Sequence, residues 1–411
     1  MDGSTSAFQL TSGEARDDSP RWSPDGRALA FLSDRAERGT KALYRIAVDG
    51  GEAIPLVKRR KKGIENFECD GGPQSSYTIF AMEPDANDAP ADGVLALAEP
   101  RGVGPGVHEP VCAVGLRHVP GTQQMVIGVA EGLTTRLEWL EPSTGVRETL
   151  HVFPEGDIGP FAVGMRDGVP VVAAVQSAGD KPPELYVGRP GRLLSVSDHH
   201  AALARYIFGT QEPFYWTAPD GLALDGLLIR PPDASAGPLP TVVLVHGGPY
   251  ERWSNGFHLS PWDWAQWIAL HGYAVLLPNC RGGMGHGHSF AALVRGDVGG
   301  ADYGDIMAAV DVAITLGIAD PEHLGIGGWS QGGFMTAWAL TQTDRFKAGV
   351  MGAGVSDWGM LMMTSDLPSF EATLGGTRPW DGPGAAPFRS PFTDLLCKKR
   401  SDTTTHLAWQ G

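Results

Sequence analysis

Gly328-Trp329-Ser330-Gln331-Gly332 sets a serine among small residues, after the apolar run 324–327 and before a segment of helical texture from Gly333. A serine on a sharp strand-to-helix turn projects its hydroxyl, the glycines let strand and helix approach, and the helix N-terminus favours developing negative charge. Residue type and setting point to nucleophilic acyl transfer with Ser330 as nucleophile. Such chemistry needs backbone N–H groups aimed at the carbonyl oxygen under attack. His246-Gly247-Gly248-Pro249 follows the apolar run 241–245 and leaves that approach open. The oxyanion donors are assigned to the backbone N–H groups of Gly248 and Gln331. His246 is read as an orienting residue, and His246, Arg281 and Trp329 as possible substrate contacts. Arg281 has two open roles: meeting a substrate carbonyl or carboxylate, or pairing with Asp297 or Asp305.

These residues need a scaffold. Residues 215–229 read as a hairpin, and the short apolar runs 239–245, 273–277, 324–327 and 348–351 suit parallel strands buried on both faces. Between them, Asp302 can cap a helix in which Ile306, Val310 and Ile314 share a face, and 333–340 makes another. Alternating strand and helix implies a doubly wound, mostly parallel α/β sheet over residues 211–411. Residues 1–210 have a different texture, with short alternating strands between Gly, Pro, Asp and Ser turns such as Asp25-Gly26 and Asp49-Gly50-Gly51. Leu43-Tyr44, Leu137-Glu138-Trp139 and Leu185-Tyr186 recur before such turns at intervals of 94 and 48, a unit of about 47 with one copy expected near 94–97. That period fits four-stranded propeller blades, so 1–210 reads as an incomplete β-propeller of about four blades.

Composition bounds the function. The chain has 411 residues, 42% of them hydrophobic, enough for two or three domains with cores of their own. A net charge of −15 argues against nucleic acid or an anionic membrane as partner. The basic run Lys58-Arg59-Arg60-Lys61-Lys62 has no interleaved aromatic and reads as a solvated loop. Cys69, Cys112, Cys280 and Cys397 are scattered, without zinc spacing, and fit reduced thiols. With no apolar leader or membrane-length run, a cytoplasmic location is expected. Gly285-His286-Gly287-His288 lacks the three or four converging ligands of a metal site, so neither metal nor other cofactor is expected. Trp253, Trp262, Trp264 and Trp267 read as core packing, with an apolar specificity pocket as the alternative.

The HGGP segment, the elbow, Asn279-Cys280-Arg281-Gly282-Gly283-Met284-Gly285-His286-Gly287 and the stretch from Gly296-Asp297 to Gly304-Asp305 together resemble the prolyl oligopeptidase family, especially its acylaminoacyl-peptidase and dipeptidyl-peptidase-like branch. Thr364-Ser365-Asp366, Gly375-Gly376, Pro379-Trp380 and Ser390-Pro391 continue it in order. The resemblance is strong over 212–393 and looser over 8–60, where Trp22-Ser23-Pro24-Asp25-Gly26 is similar to the family's blade hairpins. It implies a β-propeller screening an α/β-hydrolase domain, and a serine-type peptidase acting on short peptides. It also implies that an acid and then a histidine follow Ser330, within the 81 residues that remain. Residues 403–411 resemble a poor version of the strand before the acid, and the pattern is lost after Thr393. The acid and histidine are therefore expected to be absent, with truncation, a frameshift and divergence all open as the cause, and the chain's activity open. His406, preceded by Asp394 and Asp402, reads as a surface residue. The rival reading is a non-catalytic peptide- or protein-binding propeller with a remnant hydrolase domain. Aminopeptidase, acylaminoacyl and endo-oligopeptidase specificities, and the oligomeric state, stay open.

Overall fold

Closely spaced turn residues cut the first 195 residues into short strands, which the computed structural model pairs into four antiparallel sheets of four. The structure describes residues 8–23, 26–36, 42–56, 66–69, 79–83, 93–98, 102–103, 112–122, 124–141, 146–234, 237–365, 368–375, 389–391 and 407–410. Asp25, the Lys58–Lys62 run, Trp380, Asp394, Cys397, Asp402 and His406 lie outside them. Within each sheet the strands pair in chain order, the meander of a propeller blade. The third strands are Ala42–Ala47, Gly93–Ala98, Thr134–Leu140 and Lys181–Arg189, which carry Leu43, Leu95, Leu137 and Leu185. The spaced repeat is thus the third strand of each blade, and the copy expected near 94–97 is there.

The chain forms two compact units, Met1–Val129 with Leu137–His151 and Ala162–Val172, and Ala130–Arg136 with Val152–Phe161 and Ala173–Gly411. In the first, Phe31, Tyr44 and Ile46 bury a small core. Arg35 lies over the Phe31 and Tyr44 rings at 5.2 and 5.1 Å and holds Asp17 at 2.9 Å.

The second unit is built on a seven-stranded sheet: β1 (Thr210–Thr217), β2 (Ala223–Arg230), β3 (Leu239–Val245), β4 (Ala274–Asn279), β5 (Ala319–Trp329), β6 (Phe346–Gly352) and β7 (Leu407–Gln410), in the order β1-β2-β4-β3-β5-β6-β7. The hairpin β1-β2 is antiparallel and joins β4 antiparallel; β4, β3, β5, β6 and β7 run parallel. Side chains two apart share a face. Val243, Val245, Leu276, Leu224 and Leu228 enter one core, while Leu244, Val275, Leu277, Leu227 and Ile229 enter the other. Both faces are buried, which is why these strands read as continuous apolar runs. The larger core holds Ile306, Ala309, Val310 and Ala313 of helix α2 (Ala301–Thr315) and Phe334, Met335 and Trp338 of α3 (Gln331–Gln342); the other holds Ala265 and Ala269 of α1 (Ala265–Ala269).

Asp302 is not the cap of α2. The N-cap is Gly300, and Asp297 Oδ2 accepts the first helical N–H, from Ala301, at 2.9 Å. Asp302 sits inside the first turn, buried, where it accepts from the N–H groups of Gly299 and Tyr303 at 3.2 and 2.9 Å. Among the described residues, no helix is long and apolar enough to cross a membrane.

The chain leaves β3 for β4 on one side, then crosses back over β3 to β5 on the other. Loops leaving the carboxyl ends of β3 and β5 therefore diverge, and the crevice between them is where an open α/β sheet takes its ligand.

Candidate active site

Val245 of β3 pairs in parallel with Gly328 of β5, so the segments 246–249 and 329–331 leave the sheet side by side. Ser330 stands in this crevice at φ 57° and ψ −117°, a conformation that side chains rarely adopt, and it is exposed. Its N–H donates to the Gly352 carbonyl at 2.9 Å, and its carbonyl accepts from Phe334 N–H at 3.0 Å, opening α3. The elbow glycine after it answers to space: a Cβ on Gly332 would collide with the Val245 carbonyl oxygen and stand 2.7 Å from that of His246. The first N–H groups of α3 have no carbonyl one turn back to bond, which leaves them for an anion.

The HGG segment faces this elbow. A Cβ on Gly247 would stand 3.3 Å from the Trp329 carbonyl oxygen and 3.5 Å from Ser330 Cβ. Gly248 follows at φ 110°. His246, Gly247, Gly248, Trp329 and Ser330 line one cavity of about 690 Å3. Gln331 begins α3 next to Ser330 with its side chain buried, so only its backbone stands near the crevice.

Arg281 does not line this cavity. Its Nε and Nη2 donate to Asp305 at 2.8 and 2.7 Å, and Nη1 and Nη2 donate to Asp220 at 2.7 and 3.0 Å. These two acids push the guanidinium pKa further up, so Arg281 clamps the loop after β4 to α2 and to the β1-β2 turn. Of its two open roles the structure takes pairing, with Asp305 and Asp220 rather than Asp297. Asp297 pairs instead with Arg389 at 2.6 Å. His286 lies 3.0 Å from Asp225, and its ring sits 4.6 Å from that of Phe290.

The tryptophans divide. Trp253 is core, its Nε1 donating to the Leu244 carbonyl at 3.1 Å, whereas Trp262 and Trp267 are 61% and 58% exposed. Trp262 and Trp329 line the cavity with ring centroids 6.4 Å apart.

Several cavity residues carry no motif. Arg252 donates to the Gly132 carbonyl and, at 2.7 Å, to Thr135 Oγ1, and lies 3.5 Å from Asp157. His258 Nδ1 meets Asp263 at 2.7 Å and its Nε2 meets the Ser254 carbonyl at 2.7 Å. Both partners are acceptors, so both ring nitrogens must donate, and the ring is an imidazolium. Burial opposes that charge, but the Asp263 carboxylate and the Ser254 carbonyl raise the His258 pKa. His246 is the opposite case. Its Nδ1 meets the Gly247 carbonyl at 2.8 Å and must carry the proton, Nε2 is buried without a partner, and burial lowers its pKa. A neutral His246 holds its own loop in shape. Among the described residues, neither histidine has a nitrogen hydrogen-bonded to Ser330 Oγ.

The arrangement offers an exposed, strained serine at a helix N-terminus beside a glycine loop, which is equipment for attack on a carbonyl. At 19% identity the Pyrococcus horikoshii acylaminoacyl peptidase superposes with a TM-score of 0.64, covering 92% of this chain and 76% of that one. A Mycobacterium tuberculosis puromycin-hydrolyzing peptidase, 22% identical, superposes with a TM-score of 0.67 over 93% of this chain and 61% of that one. These likenesses show the fold, β-propeller blades followed by an α/β-hydrolase domain. In sequence, the uncharacterized peptidase YuxL of Bacillus subtilis is 36% identical over 196 residues, 46% of this chain and 29% of that protein. The dipeptidyl aminopeptidase BIII of Pseudoxanthomonas mexicana is 35% identical over 172 residues, 40% of this chain and 24% of the other. The matched part of the chain thus spans less than a third of either relative. Residues 258–410, which include the elbow, match the Prolyl oligopeptidase family.

Proposed function

We propose that this chain is a serine peptidase that cleaves short peptides through an acyl-enzyme on Ser330. The observation that carries the reading is the exposed serine at φ 57° on the β5–α3 turn, flanked by the HGG loop of β3. Ser330 Oγ attacks the scissile carbonyl carbon and gives up its proton to a base. The carbonyl oxygen becomes an oxyanion held by the N–H groups of Gly248 and Gln331. Collapse expels the amine, which takes a proton, and water then releases the acyl group. The domain assignment that accompanies this reading is 1–210 for the blades and 211–411 for the hydrolase domain.

The test is labelling of the purified chain by a fluorophosphonate, with Ser330→Ala as control. The reading expects labelling that the substitution abolishes. Folded protein that takes no label favours the second reading, a peptide-binding protein with a remnant hydrolase domain. The observation behind that second reading is that, among the described residues, neither cavity histidine hydrogen-bonds to Ser330. Removing triad members costs about 10⁴ to 10⁶ in turnover.

A further inference from the structure

The cavity beside Ser330 is lined by the charged side chains of Asp157, Glu251, Arg252, His258 and Asp263. Four of them neutralise one another: Arg252 faces Asp157 at 3.5 Å, and His258 faces Asp263 at 2.7 Å. Glu251 is left over. Among the described residues its carboxylate has no ion-pair or hydrogen-bond partner. The neighbouring imidazole of His246 makes no hydrogen bond to it: its Nδ1 faces the Gly247 carbonyl at 2.8 Å, and burial lowers the ring's pKa although the Glu251 charge pulls it the other way.

The backbone under Glu251 is fixed at both ends, its N–H donating to the Pro249 carbonyl at 2.8 Å and its carbonyl accepting from Met284 N–H at 3.0 Å. The side chain stands next to the nucleophile. A Cβ on Gly247 would lie 3.3 Å from Glu251 Oε2 and 3.5 Å from Ser330 Cβ, so carboxylate and serine flank one glycine. When Ser330 Oγ engages a carbonyl carbon, the α-nitrogen of that residue is two bonds away, and the α-nitrogen of the preceding residue only about 3.5 Å further along an extended chain. A carboxylate this close to the serine meets a cation where a peptide begins one or two residues before the scissile bond. An acylated or internal nitrogen brings no charge there and gains no attraction from the carboxylate.

We propose that Glu251 is the anchor for a free α-ammonium group, so that the substrates are peptides with an unblocked amino terminus one or two residues from the bond cleaved. This rests on Ser330 as the nucleophile and selects, among peptidase specificities, those for free over acylated or internal termini. The other acids lining the cavity, Asp157 and Asp263, are both held by their partners.

Binding tests the idea without requiring chemistry. Alanyl-alaninamide and N-acetyl-alanyl-alaninamide are titrated into the Ser330→Ala chain, with the tryptophan emission of Trp253, Trp262 and Trp329 at the cavity wall as readout. The free amine is expected to bind at least tenfold tighter, the scale of a charge-assisted hydrogen bond. Adding Glu251→Gln should bring the two within about threefold, and Glu251→Lys should reverse the order. Equal affinities in the Ser330→Ala chain, tighter binding of the acetylated peptide, or a preference that survives Glu251→Gln would overturn the proposal. Because Glu251 is exposed, these variants keep the fold, which circular dichroism verifies. Fluorophosphonate labelling of the unsubstituted chain reports on Ser330 separately, so a failure of the nucleophile and a failure of the anchor give different results.

Discussion

Arg281→Met separates an arginine that holds the fold from one that binds substrate. The guanidinium makes a two-pronged contact with Asp305 at 2.8 and 2.7 Å, and Asp305, at 0% exposure, also accepts the Arg281 N–H at 2.9 Å. The Asp220 contacts lie at the surface, where solvent screens them, so the cost resides in Asp305. Methionine keeps much of the apolar stem but leaves a buried carboxylate with one N–H partner. Breaking a buried pair from one side costs about 3–5 kcal/mol, because the surviving charge is uncompensated. Adding Asp305→Asn removes that charge, and the double variant should recover about 2 kcal/mol of the loss. The pH sign follows. Burial pushes the Asp305 carboxyl up and Arg281 pulls it back; without Arg281 its folded pKa rises further above the unfolded one. The folded variant then holds a proton that the unfolded chain has released, so its deficit grows as pH rises above about 4. Urea unfolding followed by tryptophan fluorescence measures this, since all described tryptophans except Trp22 and Trp139 belong to the second unit. A deficit under about 1 kcal/mol, with a weakened KM for peptides, would refute the clamp and return Arg281 to the substrate.

Gly332→Ala drives a methyl into the Val245 carbonyl and should cost about 3 kcal/mol or more, with Ser330 labelling lost alongside; unchanged urea unfolding would contradict the close approach. Burial pushes the Asp302 carboxyl up to about 7, above its unfolded value, so its contribution to stability falls as pH rises from about 4 to 7. Asp302→Asn should therefore be more stable than the parent by up to about 4 kcal/mol at pH 8 and lose that advantage near pH 4, and parallel stability curves would sink the assignment. His258 has the reverse sense. Its pKa is raised, so the Asp263 pairing stabilises fully below the unfolded pKa of about 6.5 and is lost as pH climbs through the folded value. The destabilisation by His258→Gln, about 1–3 kcal/mol at pH 6, should shrink by pH 9, and a deficit independent of pH would exclude the imidazolium.

The elbow and the HGGP turn were legible in the chain because each is local: glycines at Gly247, Gly248, Gly328 and Gly332 write close backbone approach directly into residue type. The sheet was legible because burial on both faces makes unbroken apolar runs, and the blades because Leu43, Leu137 and Leu185 mark the third strand of each meander. Charge partners were not. Arg281 chose Asp305 and Asp220, 24 and 61 positions away, and no spacing rule foretells which acid a tertiary fold delivers. Asp302 reads as a cap, yet the chain enters α2 so that Asp297 takes the first N–H and Asp302 is drawn inside. The tryptophans were read at helical spacing, but α1 covers only Ala265–Ala269, so Trp262 lies outside the helix and is free to line a cavity. Glu251 carries no motif, and its meaning appears only once the cavity's other charges are seen to cancel.

The strain at Ser330 makes geometry and proton transfer separable. A non-glycine residue in that part of backbone space costs about 1–3 kcal/mol and persists only where its surroundings over-determine it. Those surroundings are all backbone: Ser330 N–H on Gly352, Phe334 N–H on Ser330, and Gly328 and Gly332 pressed against the end of β3. Among the described residues, no side-chain base takes part in holding the turn. The turn is therefore held independently of any group that would remove the hydroxyl's proton. It follows that labelling of Ser330 in folded protein with this turn intact reports chiefly on proton transfer. An unlabelled but folded chain would have its deficit in proton transfer, with the elbow, the helix N-terminus and the glycine loop still intact around a serine that nothing deprotonates.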